Sequence, residues 1–218
     1  CIYEYLCNGP INLYINSNQN QISDIFSMTS ILRIYQSIEY LHSNLFLYRD
    51  LKPFNILLDH DYIPFLSDFD TIRHPIDTVN DEEITNDLGS SFYMSPEQYN
   101  GQTISYPTDI FSFGLVAYYF IEKKNMSNQQ YIVESIETPL INNASKYIQK
   151  LIEFCVNFDQ SKRPNIKQIK NLLLKEFILP YYIEPYAFYH EIELKESEIN
   201  CFFYENFALR IDDQKQLK

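Results

Sequence analysis

Apolar and polar positions alternate over residues 1–6, which predicts the end of a strand. Asn8-Gly9-Pro10 then breaks it. Over residues 27–42 the apolar side chains Met28, Ile31, Leu32, Tyr35, Ile38 and Leu41 recur at the spacing of one buried helical face. Short apolar runs follow at 45–48, 55–58 and 63–66, separated by Asp, His and Pro, and predict short strands around a loop. Residues 71–91 lack periodicity and read as a long loop, a length that compact domains keep for function or mobility. Residues 109–121 are apolar almost all round, as a helix at a domain centre must be. Residues 146–156 and 166–177 predict two more amphipathic helices, with Arg163-Pro164 between them. After Leu179-Pro180 the composition shifts to Tyr, Phe and Glu with little pattern, so a boundary is expected near residue 180.

These elements predict an α+β chain dominated by helices: a long helix from about Ser27, a small β-ribbon, and a buried central helix from about Thr108. The apolar share, 45%, suffices for a core. The net charge of −12 argues against nucleic acid and against an anionic membrane surface, both of which need a basic face. Much of the acid falls in two runs, Asp77 to Asp87 and Glu191 to Glu198, which as isolated features are solvated loops or helix faces. Cys1, Cys7, Cys155 and Cys201 show neither zinc spacing nor a disulfide framework, which suits a reducing compartment. The expected location is therefore cytoplasmic, with the nucleus as the alternative. The chain begins with Cys rather than Met, which points to a fragment.

The chemistry concentrates in one segment, Tyr48-Arg49-Asp50-Leu51-Lys52-Pro53-Phe54-Asn55-Ile56-Leu57-Leu58. Thirteen residues after Asn55 comes Asp68-Phe69-Asp70. Gly89-Ser90-Ser91-Phe92-Tyr93-Met94-Ser95-Pro96-Glu97 follows, then Asp109-Ile110-Phe111-Ser112-Phe113-Gly114, then Arg163-Pro164. Any one carboxylate alone would be a surface or capping acid. Five such segments in this order, over residues 1–178, resemble the protein kinase family. Residues 179–218 form a C-terminal extension that could pack on the lobe or dock a partner.

The resemblance implies the hinge and the mainly α-helical C-terminal lobe of the kinase fold, without the small N-terminal lobe. It implies a serine/threonine kinase that moves the ATP γ-phosphate to a protein hydroxyl with Mg²⁺. Phosphoryl transfer passes through a loose transition state, so the site must mainly position groups and neutralise charge. By resemblance Asp50 takes the substrate hydroxyl proton, Lys52 neutralises the γ-phosphate, and Asn55 and Asp68 ligate Mg²⁺. The Ser90 hydroxyl would bond to Asp50 and Lys52. Glu4 and Leu6 would face adenine through their backbone, with Leu57 beneath the ring. Glu97 and Arg163 would form a buried ion pair, and Asp109 would receive backbone N–H groups of the catalytic loop. Lys52 and the Gly89-Ser90 pair favour the serine/threonine branch over the tyrosine branch.

Three positions bear on that reading. Tyr48 stands where His is commoner, and it is expected to pack under the loop, stacking with Phe69. Arg49 would need a counter-charge, either a phosphate on Thr78 or Thr85 or the run Asp81-Glu82-Glu83. Asp70 replaces the usual Gly of the metal-binding motif, a place where positive φ would favour Gly. With the Gly-rich loop, strand Lys and helix Glu absent from the sequence, the alternative is a degenerate kinase acting as a binding scaffold.

Overall fold

The structure is a computed structural model that describes residues 6–19, 21–75, 91–126 and 144–182. The chain divides into two compact units, Cys1–Leu173 and Leu174–Lys218. The first unit holds the long helices predicted at 27–42 and 109–121, and a three-stranded antiparallel sheet in the order β1-β2-β3.

β1 (Gly9–Pro10) lies where a chain break is expected. Gly9 has φ 65° and Pro10 has no N–H to give a ladder, so only two residues can pair, and only at a sheet edge. They pair as Gly9↔Leu58 and Pro10↔Leu57 with β2 (Ile56–Leu58). β2 pairs in turn with β3 (Pro64–Leu66) through Ile56↔Leu66, Leu57↔Phe65 and Leu58↔Pro64. The Asp59 carboxylate closes the β2–β3 turn by accepting the N–H groups of Asp61 and Ile63 at 2.9 and 2.8 Å. Residues 45–48 do not form the expected strand. They contribute one bridge, Leu47↔Arg73, because Leu45 and Arg49 both take left-handed backbone and end pairing on each side.

α1 (Ile11–Ser17) follows β1 directly, with Ile11 and Ile15 buried one turn apart. α2 (Asp24–Ser43) begins three residues before the apolar pattern does. The Ser23 hydroxyl caps it by accepting the Phe26 N–H. Its buried face carries Ile31, Leu32, Tyr35, Ile38 and Leu41 as the spacing requires, and adds Ile34 and two serines. Ser30 meets its buried hydroxyl by donating to the Phe26 carbonyl at 2.8 Å.

α4 (Tyr106–Glu122) is buried from Thr108 to Phe120 and packs on α2 and on α5 (Lys146–Cys155). Gly114 is required there: a Cβ would stand 2.6 Å from Cys155 Cβ and 2.9 Å from Val156 Cγ1. α4 ends at Lys123, whose left-handed backbone closes the last turn and whose ammonium reaches the Phe120 carbonyl and Ser27 of α2. The short α3 (Pro96–Tyr99) precedes α4. α6 (Ile166–Tyr182) runs past Phe177, where its amphipathic pattern ends. No helix among the described residues is long and apolar enough to cross a membrane.

Candidate functional site

The segment from Tyr48 to Asn55 is short of regular structure, so its shape must come from side-chain clamps. Asp109, in the first turn of α4, is the main one. Its carboxylate is only 1% exposed and accepts the Tyr48 N–H at 2.9 Å and the Arg49 N–H at 2.7 Å. These are the backbone groups expected to reach it. Its third contact was not legible in the sequence: His42 Nε2 lies 2.9 Å from the same carboxylate. A carboxylate only accepts, so the imidazole carries a proton on Nε2. His42 sits in the last turn of α2, with its ring 4.7 Å from that of Tyr106. Three groups from two further elements thus meet the buried charge, as burial of a carboxylate demands.

Tyr48 is fully buried under the loop, and its hydroxyl donates to the Ser67 carbonyl. Burial, and then the charges of Asp50, Asp68 and Asp109, push its phenol well above the ordinary range, so it remains a neutral donor. It meets Phe69 edge-on at 6.3 Å. Thr71 adds a bond from its hydroxyl to the Tyr48 carbonyl at 2.9 Å.

Downstream of these clamps, Asp50, Lys52 and Asn55 come together. Lys52 Nζ lies 2.8 Å from Asp50 Oδ2, and Asn55 Nδ2 donates to that same oxygen at 2.9 Å and to the Asp50 carbonyl at 3.0 Å. Asn55 closes a 3₁₀ turn, Pro53–Asn55, which begins at a proline and leads straight into β2. Its carbonyl takes the Ser67 N–H at 2.9 Å and the Ser67 hydroxyl at 3.0 Å. The loop is thereby joined to the residue before Asp68. Asp68 is exposed and left-handed, with φ 54°, and it opens the 3₁₀ turn Phe69–Thr71.

Asp70 corrects an expectation. It lies inside that turn, and the positive φ falls on Asp68 instead. Asp70 therefore stands where its side chain costs the backbone nothing special. Its carbonyl accepts from Arg73 Nη1 at 2.7 Å.

Of the positions expected to face adenine, Leu57 is half-buried at the middle of β2, opposite Pro10. Leu6 precedes β1, and its carbonyl accepts the Gly9 N–H at 3.3 Å. The Asn8 N–H reaches the Leu58 carbonyl at 3.1 Å, so the segment after Leu6 is tied to the strand that carries Leu57. Glu4, Thr78, Thr85, the Asp81-Glu82-Glu83 run and Ser90 lie outside the described residues.

The expected ion pair forms between Glu97 of α3 and Arg163, in two parallel bonds of 2.6 and 2.8 Å. Burial alone would push the Glu97 carboxyl up. The bonds and charge of Arg163 outweigh it and hold the group below its ordinary range. Arg163 also donates to the carbonyls of Pro107, Asn157 and Phe158, and its guanidinium lies 4.8 Å over the Phe111 ring. A second missed contact starts one residue on: Gln98 Nε2 donates to the Arg49 carbonyl at 2.9 Å. Neither His42 nor Gln98 lies in a segment whose spacing would mark it, since their partners stand 67 and 49 residues away.

Comparison with known proteins agrees with this arrangement. The protein kinase domain family matches residues 1–174. The chain is 33% identical over 182 residues to a "probable LIM domain-containing serine/threonine-protein kinase" of Dictyostelium discoideum, covering 80% of this chain and 27% of that protein. It is 31% identical over 201 residues to a "probable LRR receptor-like serine/threonine-protein kinase" of Arabidopsis thaliana, covering 79% and 22%. It is 29% identical over 160 residues to a "PR5-like receptor kinase" of the same plant, covering 69% and 23%. The chain thus spans about a quarter of the length of these relatives. The domain match covers most of the chain and includes every clamp and cluster described above, and on it the chain belongs to the protein kinase domain family.

Proposed function

We propose that the chain is the adenine-binding hinge and large C-terminal lobe of a serine/threonine protein kinase, which transfers the γ-phosphoryl group of ATP to a protein hydroxyl. One observation carries the reading: a single Asp50 oxygen holds both the Lys52 ammonium and the Asn55 amide within 2.9 Å, on a loop fixed by Asp109. Such a group can accept a proton beside a fixed positive charge, which is what hydroxyl attack on a phosphoryl group needs. The relatives' names, serine/threonine kinases among them, support the class of acceptor.

In this reading the substrate hydroxyl oxygen attacks the γ-phosphorus, its proton passes to Asp50, and the bond to ADP breaks. Lys52 balances charge on the transferring group. Asn55 directs its Nδ2 to Asp50, which leaves the amide oxygen for a cation, and Asp68 offers an exposed carboxylate. Two oxygen donors of this kind fit Mg²⁺, a hard cation. When bound, Mg²⁺ neutralises phosphate charge. Leu57, with the backbone of Glu4 and Leu6, would contact adenine.

Phosphate transfer from labelled ATP to a serine-containing peptide, by a version that also carries a Gly-rich loop and strand Lys, tests the reading. Asp50→Asn should reduce transfer by about 10²–10⁴-fold while ATP affinity holds. Asp68→Ala should weaken Mg-ATP binding itself. Equal losses of nucleotide affinity in the two variants would overturn these roles. A wild-type protein that binds ATP but transfers no phosphate would point to a scaffold.

A further inference from the structure

We propose that Gln98 is a positioning residue for Asp50, tying the α3 segment to the peptide bond that precedes the catalytic aspartate. The inference rests on the kinase reading given above. Arg49 is held at both of its backbone polar groups by side chains from two different helices. Its N–H goes to Asp109 of α4 at 2.7 Å, and its carbonyl accepts from Gln98 of α3 at 2.9 Å. Arg49 needs such holding, because its φ of 74° is a left-handed conformation that side chains disfavour. The carbonyl of Arg49 and the nitrogen of Asp50 share one planar peptide group. Fixing that carbonyl therefore fixes the plane from which the Asp50 side chain departs.

The other end of the Gln98 amide is occupied as well. Its Oε1 accepts the Ser95 N–H at 3.1 Å, and the Ser95 hydroxyl in turn accepts the Gln98 N–H at 3.3 Å. This reciprocal pair starts α3 and settles which end of the amide is oxygen, leaving Nε2 to face Arg49. Glu would serve the helix start as well as Gln does. Only the amide brings a donor to the Arg49 carbonyl. The residue type at position 98 is thus explained by the catalytic loop rather than by α3. Its neighbour Glu97 anchors the same short helix to Arg163, so Gln98 reaches the loop from a fixed base.

The experiment compares Gln98→Glu, which keeps the reciprocal pair and loses the donor, with Gln98→Met, which loses both and adds no charge. The first readout is the Asp50 amide nitrogen resonance, which senses a hydrogen bond on the carbonyl before it. The second is the split between kcat and KM for ATP in the version that also carries a Gly-rich loop and strand Lys. Both variants should displace the resonance and lower kcat about fivefold to tenfold with KM for ATP unchanged. A resonance unmoved in either variant would overturn the proposal, since Met alone would implicate the helix start and Glu alone its charge. If wild type transfers no phosphate, the kinase reading fails, and the resonance still decides the role of Gln98.

Discussion

Asp109 illustrates how a single side chain can set the shape of a segment sixty residues away. Its carboxylate accepts from Tyr48, Arg49 and His42, and replacing one oxygen by an NH₂ group turns an acceptor into a donor. Asp109→Asn should therefore lower stability by about 2–4 kcal/mol, read by urea unfolding. A loss under about 0.5 kcal/mol would mean that water replaces the carboxylate. Asp70 gives the opposite expectation. It is exposed and free of positive φ, so Asp70→Asn should change turnover by less than about fivefold across a Mg²⁺ series. A loss as deep as that of Asp68→Ala would make Asp70 a metal ligand. Asp50, Lys52 and Asn55 were legible in the sequence because their contacts are local, within five residues. His42 and Gln98 were not, because a hydrogen bond across 49 or 67 residues leaves no spacing to read.

At the scale of elements, legibility followed length. α2, α4, α5 and α6 span about three to six turns, and each shows a periodic apolar face or an apolar run long enough to count. α1 has seven residues and α3 four, too few for a period, and both owe their place to neighbours rather than to propensity. The run at 45–48 misled because burial does not need a strand: Leu47 and Tyr48 are buried in a loop bounded by the left-handed Leu45 and Arg49, while Leu45 and Phe46 are exposed. At Gly114, α4 lies close against the end of α5. Gly114→Ala would set a methyl group 2.6 Å from Cys155 Cβ, and one of the two helices must move. We expect a loss of about 1–3 kcal/mol, seen as a lower melting temperature. Cys155→Ala in the same background leaves that Cβ in place and should not relieve it. Burial pushes the Cys155 thiol up, so it should resist alkylation in the native protein and react only on unfolding.

Over the whole first unit, the Glu97–Arg163 pair joins α3 to the segment before α6, and it makes stability depend on acid. The folded carboxyl titrates below its ordinary value of 4.5, so the unfolded chain binds the proton first. The contribution is complete above that value and is lost as pH falls through the lower, folded one. Glu97→Gln should cost about 3–5 kcal/mol at neutral pH, because Arg163 is left buried without its partner. Its urea midpoint should also fall less steeply than that of wild type below pH 4.5. Parallel acid limbs would show that other carboxyls dominate. The reach of these contacts has a consequence for biosynthesis. Tyr48 and its carboxylate partner are 61 residues apart, and the two ends of the ion pair 66. At about 5–20 residues per second, Asp109 leaves the ribosome roughly 3–12 s after Tyr48. For those seconds the nascent loop already contains Asp50, Lys52 and Asn55 but lacks the carboxylate that holds the Tyr48 and Arg49 N–H groups. A chain stalled between Thr71 and Asp109 should keep the local contacts of Asp50 with Lys52 and Asn55 but leave the left-handed Arg49 without its clamp, so the loop should fluctuate until Asp109 arrives.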